Sequence, residues 1–431
     1  MEWLVFLGGA VTALAGTIIQ QNLAWPEKRI LRQLDDAPSV DQTQFLREVD
    51  ALLGPPVLSG NRVSLLQNGE QIFPAMLEAI RSAERSITFE TYIYWSGEVG
   101  DAFAEALCER ASAGVAVHVL IDWVGSQRIA RATLQRMREA GVDVRLYRPL
   151  HFYQLWRMNN RTHRKLLVID GRIGFTGGVG IADLWRGHAA NPSQWRDLHF
   201  RVTGPVVAQM QAAFLDNWIR TTGQVLRGHD YFPSLQEADG ADRHDGDHPV
   251  RAQMFTSSPN GGSDSMQLMY LLAIASARKS IDIAAAYFIP DRLILAQLRQ
   301  ARRRGVRIRV IMPHRRTDIG LVRHASRRLW GRLLRHGARL YLYEHTMYHA
   351  KMLIVDQALV SVGSTNFDSR SFRLNDEASL NIYDEAFGAA ATAVFEADLA
   401  QSRPVAGQRW LRRSWWSRLR ERIAGLVDSQ L

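Results

Sequence analysis

His163-Arg-Lys165-Leu-Leu-Val-Ile-Asp170-Gly171 and His349-Ala-Lys351-Met-Leu-Ile-Val-Asp356 are two copies of one pattern, set 186 residues apart in a chain of 431. In each, four apolar residues separate the lysine from the aspartate, a run that reads as a strand. Side chains at i and i+2 of a strand project from one face, so each histidine points with its own lysine. A single His-x-Lys carries little information. Here the downstream grammar repeats too: after six intervening residues, Asp170 and Asp356 are each followed by a small-residue turn, Gly177-Gly178-Val179-Gly180 and Gly363-Ser364-Thr365-Asn366.

On these residues the chain resembles the phospholipase D superfamily, whose signature is HxKxxxxD followed by G-[GS]-x-N, and more closely the bacterial cardiolipin synthases, which carry both copies on one chain. The resemblance runs from about Leu65 to the basic C-terminus. It departs at Gly180, where the family often has Asn, so polar contacts to substrate are expected to differ between the halves. Cleaving a phosphodiester through a covalent intermediate needs a nucleophile, an acid for the leaving oxygen and cations around the phosphoryl oxygens. His163 and His349 supply the first two, because a neutral imidazole attacks and a protonated one donates. The resemblance to two-copy relatives implies that His163 attacks and His349 is the acid. Lys165 and Lys351 supply the cations, with Ser364, Asn366 and the turn amides, Gly178 included, adding hydrogen bonds. No metal or cofactor is then expected. Each histidine also needs an acceptor to fix its tautomer, and Asp197 (Trp195-Arg-Asp197) and Glu377 (Asn375-Asp-Glu377) are assigned that role, supported by the resemblance. Asp170 and Asp356, placed before turns, are expected to hold those loops rather than carry protons.

The halves also repeat outside the motifs. Ser82-Ala-Glu-Arg-Ser-Ile87 answers Ser276-Ala-Arg-Lys-Ser-Ile281, and Gly114-Val-Ala-Val-His-Val answers Gly305-Val-Arg-Ile-Arg-Val. Each unit alternates helix with strand, and the glycine before each strand suits a helix C-terminus. The expected fold is α/β: two similar phospholipase D-like α/β/α lobes in one chain, with the active site at their interface. The expected boundaries are an apolar N-terminal segment at 1–30, lobes at 60–232 and 250–400, a polar linker at 233–249, and a basic amphipathic tail at 404–431. The linker's His244, Asp245, Asp247 and His248 lack the fixed spacing of a metal site. The single Cys108 excludes an intrachain disulfide and is expected to be buried.

A formal net charge of +10 points to an anionic partner, phospholipid surface or nucleic acid. Two termini argue for the membrane and against nucleic acid. Trp3 to Ile19 is apolar and uncharged, a candidate anchor, interfacial segment or signal peptide. Lys28, Arg29 and Arg32 follow it, which by positive-inside logic leaves the catalytic body on the cytoplasmic side of a bacterial-type inner membrane. Trp410 to Ile423 mixes interfacial aromatics with arginines and suits an anionic leaflet. Arg302-Arg-Arg304, Arg307 and Arg309 are read as further attraction to that surface. Tyr94 and Tyr287 are candidate lipid contacts. The expected function is a membrane-associated phosphatidyltransferase that makes cardiolipin from phosphatidylglycerol through a phosphatidyl-histidine. The alternatives are a phospholipase D, in which water replaces the acceptor, and a metal-independent nuclease. Oligomeric state is not legible.

Overall fold

The structure is a computed structural model and describes residues 30–149, 160–234, 248–258, 265–314, 320–407 and 410. The apolar stretch from Trp3 to Ile19, most of the linker (235–247, with His244, Asp245 and Asp247) and the tail beyond Trp410 lie outside them. No helix among the described residues is long and apolar enough to cross a membrane.

The first half runs β1 (Leu58–Gln67), α2 (Asn68–Arg81), β2 (Ser86–Thr91), α3 (Glu98–Ser112), β3 (Ala116–Asp122), α4 (Arg131–Glu139), β4 (Asp143–Tyr147), β5 (Leu166–Ile169), β6 (Ile173–Gly177), β7 (Leu198–Thr203) and α5 (Val206–Thr222). The second repeats that order: β8 (Val250–Ser257), α6 (Ser265–Ser276), β9 (Ser280–Ala284), the short β10 (Phe288–Ile289), α7 (Arg292–Arg303), β11 (Arg307–Pro313), α8 (Gly320–Arg335), β12 (Arg339–Tyr343), β13 (Met352–Val355), β14 (Leu359–Gly363), β15 (Phe367–Asp368), α9 (Ser369–Arg373), β16 (Glu377–Tyr383), α10 (Glu385–Ala400) and β17 (Ser402–Pro404). A helix α1 (Thr43–Leu53) precedes both. It comes before the first lobe in sequence but packs on the second, with Phe45 against Tyr383.

In each half three parallel strands (β2, β3, β4; β9, β11, β12) are flanked by antiparallel ones, and the order β4-β3-β2-β5-β6-β7-β1 is matched by β12-β11-β9-β13-β14-β16-β8. The lobes do not merely face each other. β1 pairs with β8, so both halves form one continuous 15-stranded sheet with β17 at an edge. Gly114 and Gly305, with φ of 92° and 93°, take the left-handed conformation that stops α3 and α7 before their next strands.

The motif strands β5 and β13 read as unbroken apolar runs because both faces of the sheet are covered. Leu167 and Ile169 pack under α2, α3 and α4, whereas Leu166 and Val168 pack in a cluster with α5. β13 splits likewise, Leu353 and Val355 to one side, Met352 and Ile354 to the other. α5 and α10, one from each half, share a cluster that crosses the β1–β8 seam. Cys108 is half-buried rather than buried, since the outer face of α3 is only partly covered.

Candidate active site

The motif residues stand just before their strands, not within them. β5 begins at Leu166 and β13 at Met352, so His163, Lys165, His349 and Lys351 sit on the extended approaches. Those approaches pair across the two halves. The His163 amide donates to the Asp376 carbonyl at 2.9 Å and the Asp376 amide to the Arg161 carbonyl at 2.9 Å. By pseudo-two-fold symmetry the His349 amide donates to the Arg196 carbonyl at 2.8 Å and the Arg196 amide to the Met347 carbonyl at 2.9 Å. Each histidine is thus registered against the residue that precedes the carboxylate of the opposite half.

The side chains follow. Glu377, from the second half, meets His163 Nδ1 at 3.0 and 3.1 Å; Asp197, from the first, meets His349 Nδ1 at 2.6 Å. Both carboxylates are fully buried. Burial alone would raise them, but His163, Lys165 and the Ser364 hydroxyl hold Glu377 below its usual range, and His349, Lys351 and the Leu198 amide do the same for Asp197. Burial is also the largest influence on His163: it outweighs Glu377 and, with Lys165 and Lys351, pushes the imidazole down to about 4. Lys165 is lowered to about 7 by burial and by the like charge of Lys351. An anion bound beside both lysines would favour their charged forms. Each lysine donates to the backbone carbonyl of its own histidine, at 2.7 and 2.6 Å.

A cleft of about 190 Å³ opens on His163, Lys165 and His349, bordered by Tyr92, Arg161, Trp195, Tyr287, Asn366 and Asp368, among others. Of the three expected substrate contacts, Asn366 lines it, and its buried Oδ1 has no hydrogen-bond partner among the described residues. Gly178 and Ser364 instead stand behind the carboxylates. A Cβ on Gly178 would fall 2.1 Å from Asp197 Oδ1, and the Ser364 hydroxyl donates to Glu377. Gly178 has no hydroxyl to match Ser364, and the indole Nε1 of Trp185 replaces it, donating to Asp197 at 2.9 Å. Trp185 also explains Gly180: a Cβ there would come 2.8 Å from Ile93 and 3.1 Å from the Trp185 ring, which leaves no room for the asparagine found in the other half. Trp185 has no motif to betray it in sequence.

Tyr94 is not in the cleft. It is wholly buried, its hydroxyl bonded to the Gly100 carbonyl at 2.8 Å, because the chain bends after β2; Tyr92 takes the cleft position, edge-on to the His163 ring at 5.3 Å. Tyr287 does border the cleft. Sequence reasoning also passed over Glu90 and Asp122, carboxylates inside apolar strands and therefore a usable signal. They hold Thr162, the residue before His163: Glu90 accepts from its hydroxyl at 2.5 Å and Asp122 from its amide at 3.2 Å. Burial raises Glu90 to about 7 and Asp122 to about 6.

Asp170 and Asp356 face away from the cleft, both in the left-handed region (φ 51° and 52°). Asp170 accepts from the amides of Glu84, Arg85 and Ser86 at 3.0, 2.8 and 2.8 Å; Asp356 accepts from those of Arg278, Lys279 and Ser280 at 2.6, 2.7 and 2.7 Å. Each thus ties the motif strand to the helix-to-strand turn of its lobe. Asp170→Ala is expected to cost roughly 2–3 kcal/mol of stability by leaving these amides unsatisfied, with turnover per folded molecule kept. Denaturant unfolding alongside an activity assay checks this, and a variant of native stability without turnover would place Asp170 in the chemistry instead.

Against this geometry, a family model described as cardiolipin synthase, phospholipase D-like domain, matches residues 76–185 and 270–399. The chain belongs to this family. Among its relatives, cardiolipin synthase 1 of Bacillus cereus is 33% identical over 410 residues, covering 94% of this chain and 80% of that one. Cardiolipin synthase A of Pseudomonas fluorescens is 32% identical, covering 89% and 78%. In fold, the crystal structure of phosphatidylserine synthase from Haemophilus influenzae is similar, with a TM-score of 0.67 at 15% identity over 90% of this chain and all of that one. As a member of the cardiolipin synthase family, the chain is a phosphatidyltransferase of the phospholipase D superfamily.

Proposed function

We propose that this protein makes cardiolipin at a membrane by transferring a phosphatidyl group from one phosphatidylglycerol to another through a phosphatidyl-histidine. The observation that carries the reading is the crossed pair of histidine–carboxylate contacts around one cleft, with Lys165 on its wall and Lys351 against the His349 ring. With Nδ1–H donating to Glu377, neutral His163 presents the Nε2 lone pair to phosphorus. His349, oriented by Asp197 and hemmed by Trp185 and Trp195, gives its Nε2 proton to the leaving glycerol oxygen as the P–O bond breaks. Lys165 and Lys351 balance the charge on the phosphoryl oxygens. In the second step His349 takes the proton of the acceptor's hydroxyl, that oxygen attacks phosphorus, and the P–N bond to His163 breaks. The assignments of His163, Lys165, Asp197, His349, Lys351 and Glu377 are parts of this proposal, as is a cytoplasmic-facing position at the inner membrane.

Mass-spectrometric product analysis with phosphatidylglycerol vesicles is the direct test. Cardiolipin and free glycerol in equal amounts are expected; phosphatidic acid as the sole lipid product would make the enzyme a hydrolase.

The pH dependence follows from two shifted groups. Attack needs neutral His163, so kcat/KM is expected to hold as pH falls until about 4 and then drop, and it should fall on the alkaline side from about 7, where free enzyme loses the Lys165 charge. A profile on water-soluble dihexanoyl phosphatidylglycerol reads both limbs. An acid limb at the ordinary imidazole value would rule out a depressed His163 as nucleophile.

A further inference from the structure

Away from the cleft, a second cavity of about 240 Å³ lies between α7 and the C-terminal end of α8, and no described residue lines both. Its floor is aliphatic: Leu295 and Leu298 of α7, Leu333 of α8 and Ile308 of β11. Its rim is cationic, with Arg292, Arg299 and Arg302 along one stripe of α7, Arg332 of α8, and His336 beyond it. Among the described residues no acidic side chain lines it. Among the described residues Arg292, Arg299 and Arg332 are exposed and have no carboxylate partner, whereas Arg302 is partly tied to the carbonyls of Val306 and His336. Unpaired guanidiniums around an aliphatic trough match one ligand chemistry: a phosphate diester joined to a hydrocarbon chain. A nucleic acid would find cations here but, among the described residues, no phenylalanine, tyrosine or tryptophan on which to stack a base.

We infer that this groove binds one anionic phospholipid, headgroup on Arg299 and Arg332 and the start of an acyl chain over Leu295 and Leu333, as a site separate from the catalytic cleft. The cavity suits a headgroup with the first part of a chain, the remainder lying in the bilayer. Such a site presents the second lobe to an anionic leaflet in one orientation, which diffuse surface charge does not do. The inference rests on the reading of this chain as a phospholipid enzyme.

The test uses the full chain in dodecylmaltoside micelles, irradiated with phosphatidylglycerol carrying a diazirine on one acyl chain, with peptide mapping of the label. Label is expected in 292–303 and 332–338 as well as in cleft peptides. Dihexanoyl phosphatidylglycerol should compete for it where dihexanoyl phosphatidylcholine and glycerol 3-phosphate do not. Arg299→Glu combined with Arg332→Glu should lower groove label by about tenfold or more, as expected for losing charge-assisted contacts, while cleft label and micellar turnover stay near wild type. Ala296→Trp fills the trough without changing charge and should do the same. Label absent from both segments, equal competition by phosphatidylcholine, equal competition by glycerol 3-phosphate, or undiminished groove label in both variants would each overturn the inference. Failure of the transferase reading is seen separately, as absence of cardiolipin from wild-type protein whatever the groove label.

Discussion

Replacing His163 by alanine is expected to abolish the covalent phosphatidyl intermediate and lower turnover by about 10⁴-fold or more, since nucleophile and leaving-group steps both fail. His349→Ala should cost a smaller factor, about 10²–10⁴, with natural phosphatidylglycerol and much less with a 4-nitrophenyl phosphodiester, whose leaving group departs without an acid. Rapid quenching with labelled donor separates the two: no label on His163→Ala, label on His349→Ala given the activated donor. The reverse distribution would exchange the roles. Both variants should fold, because each ring lies at a cleft wall and not in a hydrophobic cluster. The double variant should be little worse than the worse single, as groups acting as one unit are not additive.

The second large effect tests the crossing of the halves. Glu377→Gln is expected to lower turnover by roughly 10²–10⁴, the scale for losing the carboxylate that fixes a catalytic tautomer. It should do so as a nucleophile defect, with slow labelling even from the activated donor. Glu377 raises the His163 pKa, so its removal should also move the acid limb further down. Asp197→Asn should instead copy His349→Ala, slow with phosphatidylglycerol and nearly normal with the activated donor. If each carboxylate served the histidine of its own half, the two phenotypes would be interchanged.

Much of this protein is legible as sequence because it is local or repeated. The i, i+2 relation of His163 and Lys165, the apolar runs before Asp170 and Asp356, and the glycines that end helices are short-range facts, and finding each twice reveals two α/β halves. The pairing of acids with histidines is another matter. Glu377 reaches His163 across 214 positions, and Asp197 reaches His349 across 152; no periodicity carries that information. It is decided by strand ends: Thr162 bridges Asp376 and Arg196 bridges Tyr348, which fixes each carboxylate beside the foreign histidine. The same holds for Tyr92 over Tyr94, settled by a bend after β2, and for Trp185, whose indole takes the place of a missing hydroxyl. Residue types and spacing determined the candidate reacting groups and the lobes that bear them. Only the closing of the two halves into one sheet at β1 and β8 decided which groups meet, because hydrogen bonds between distant segments are set by tertiary register and not by local pattern.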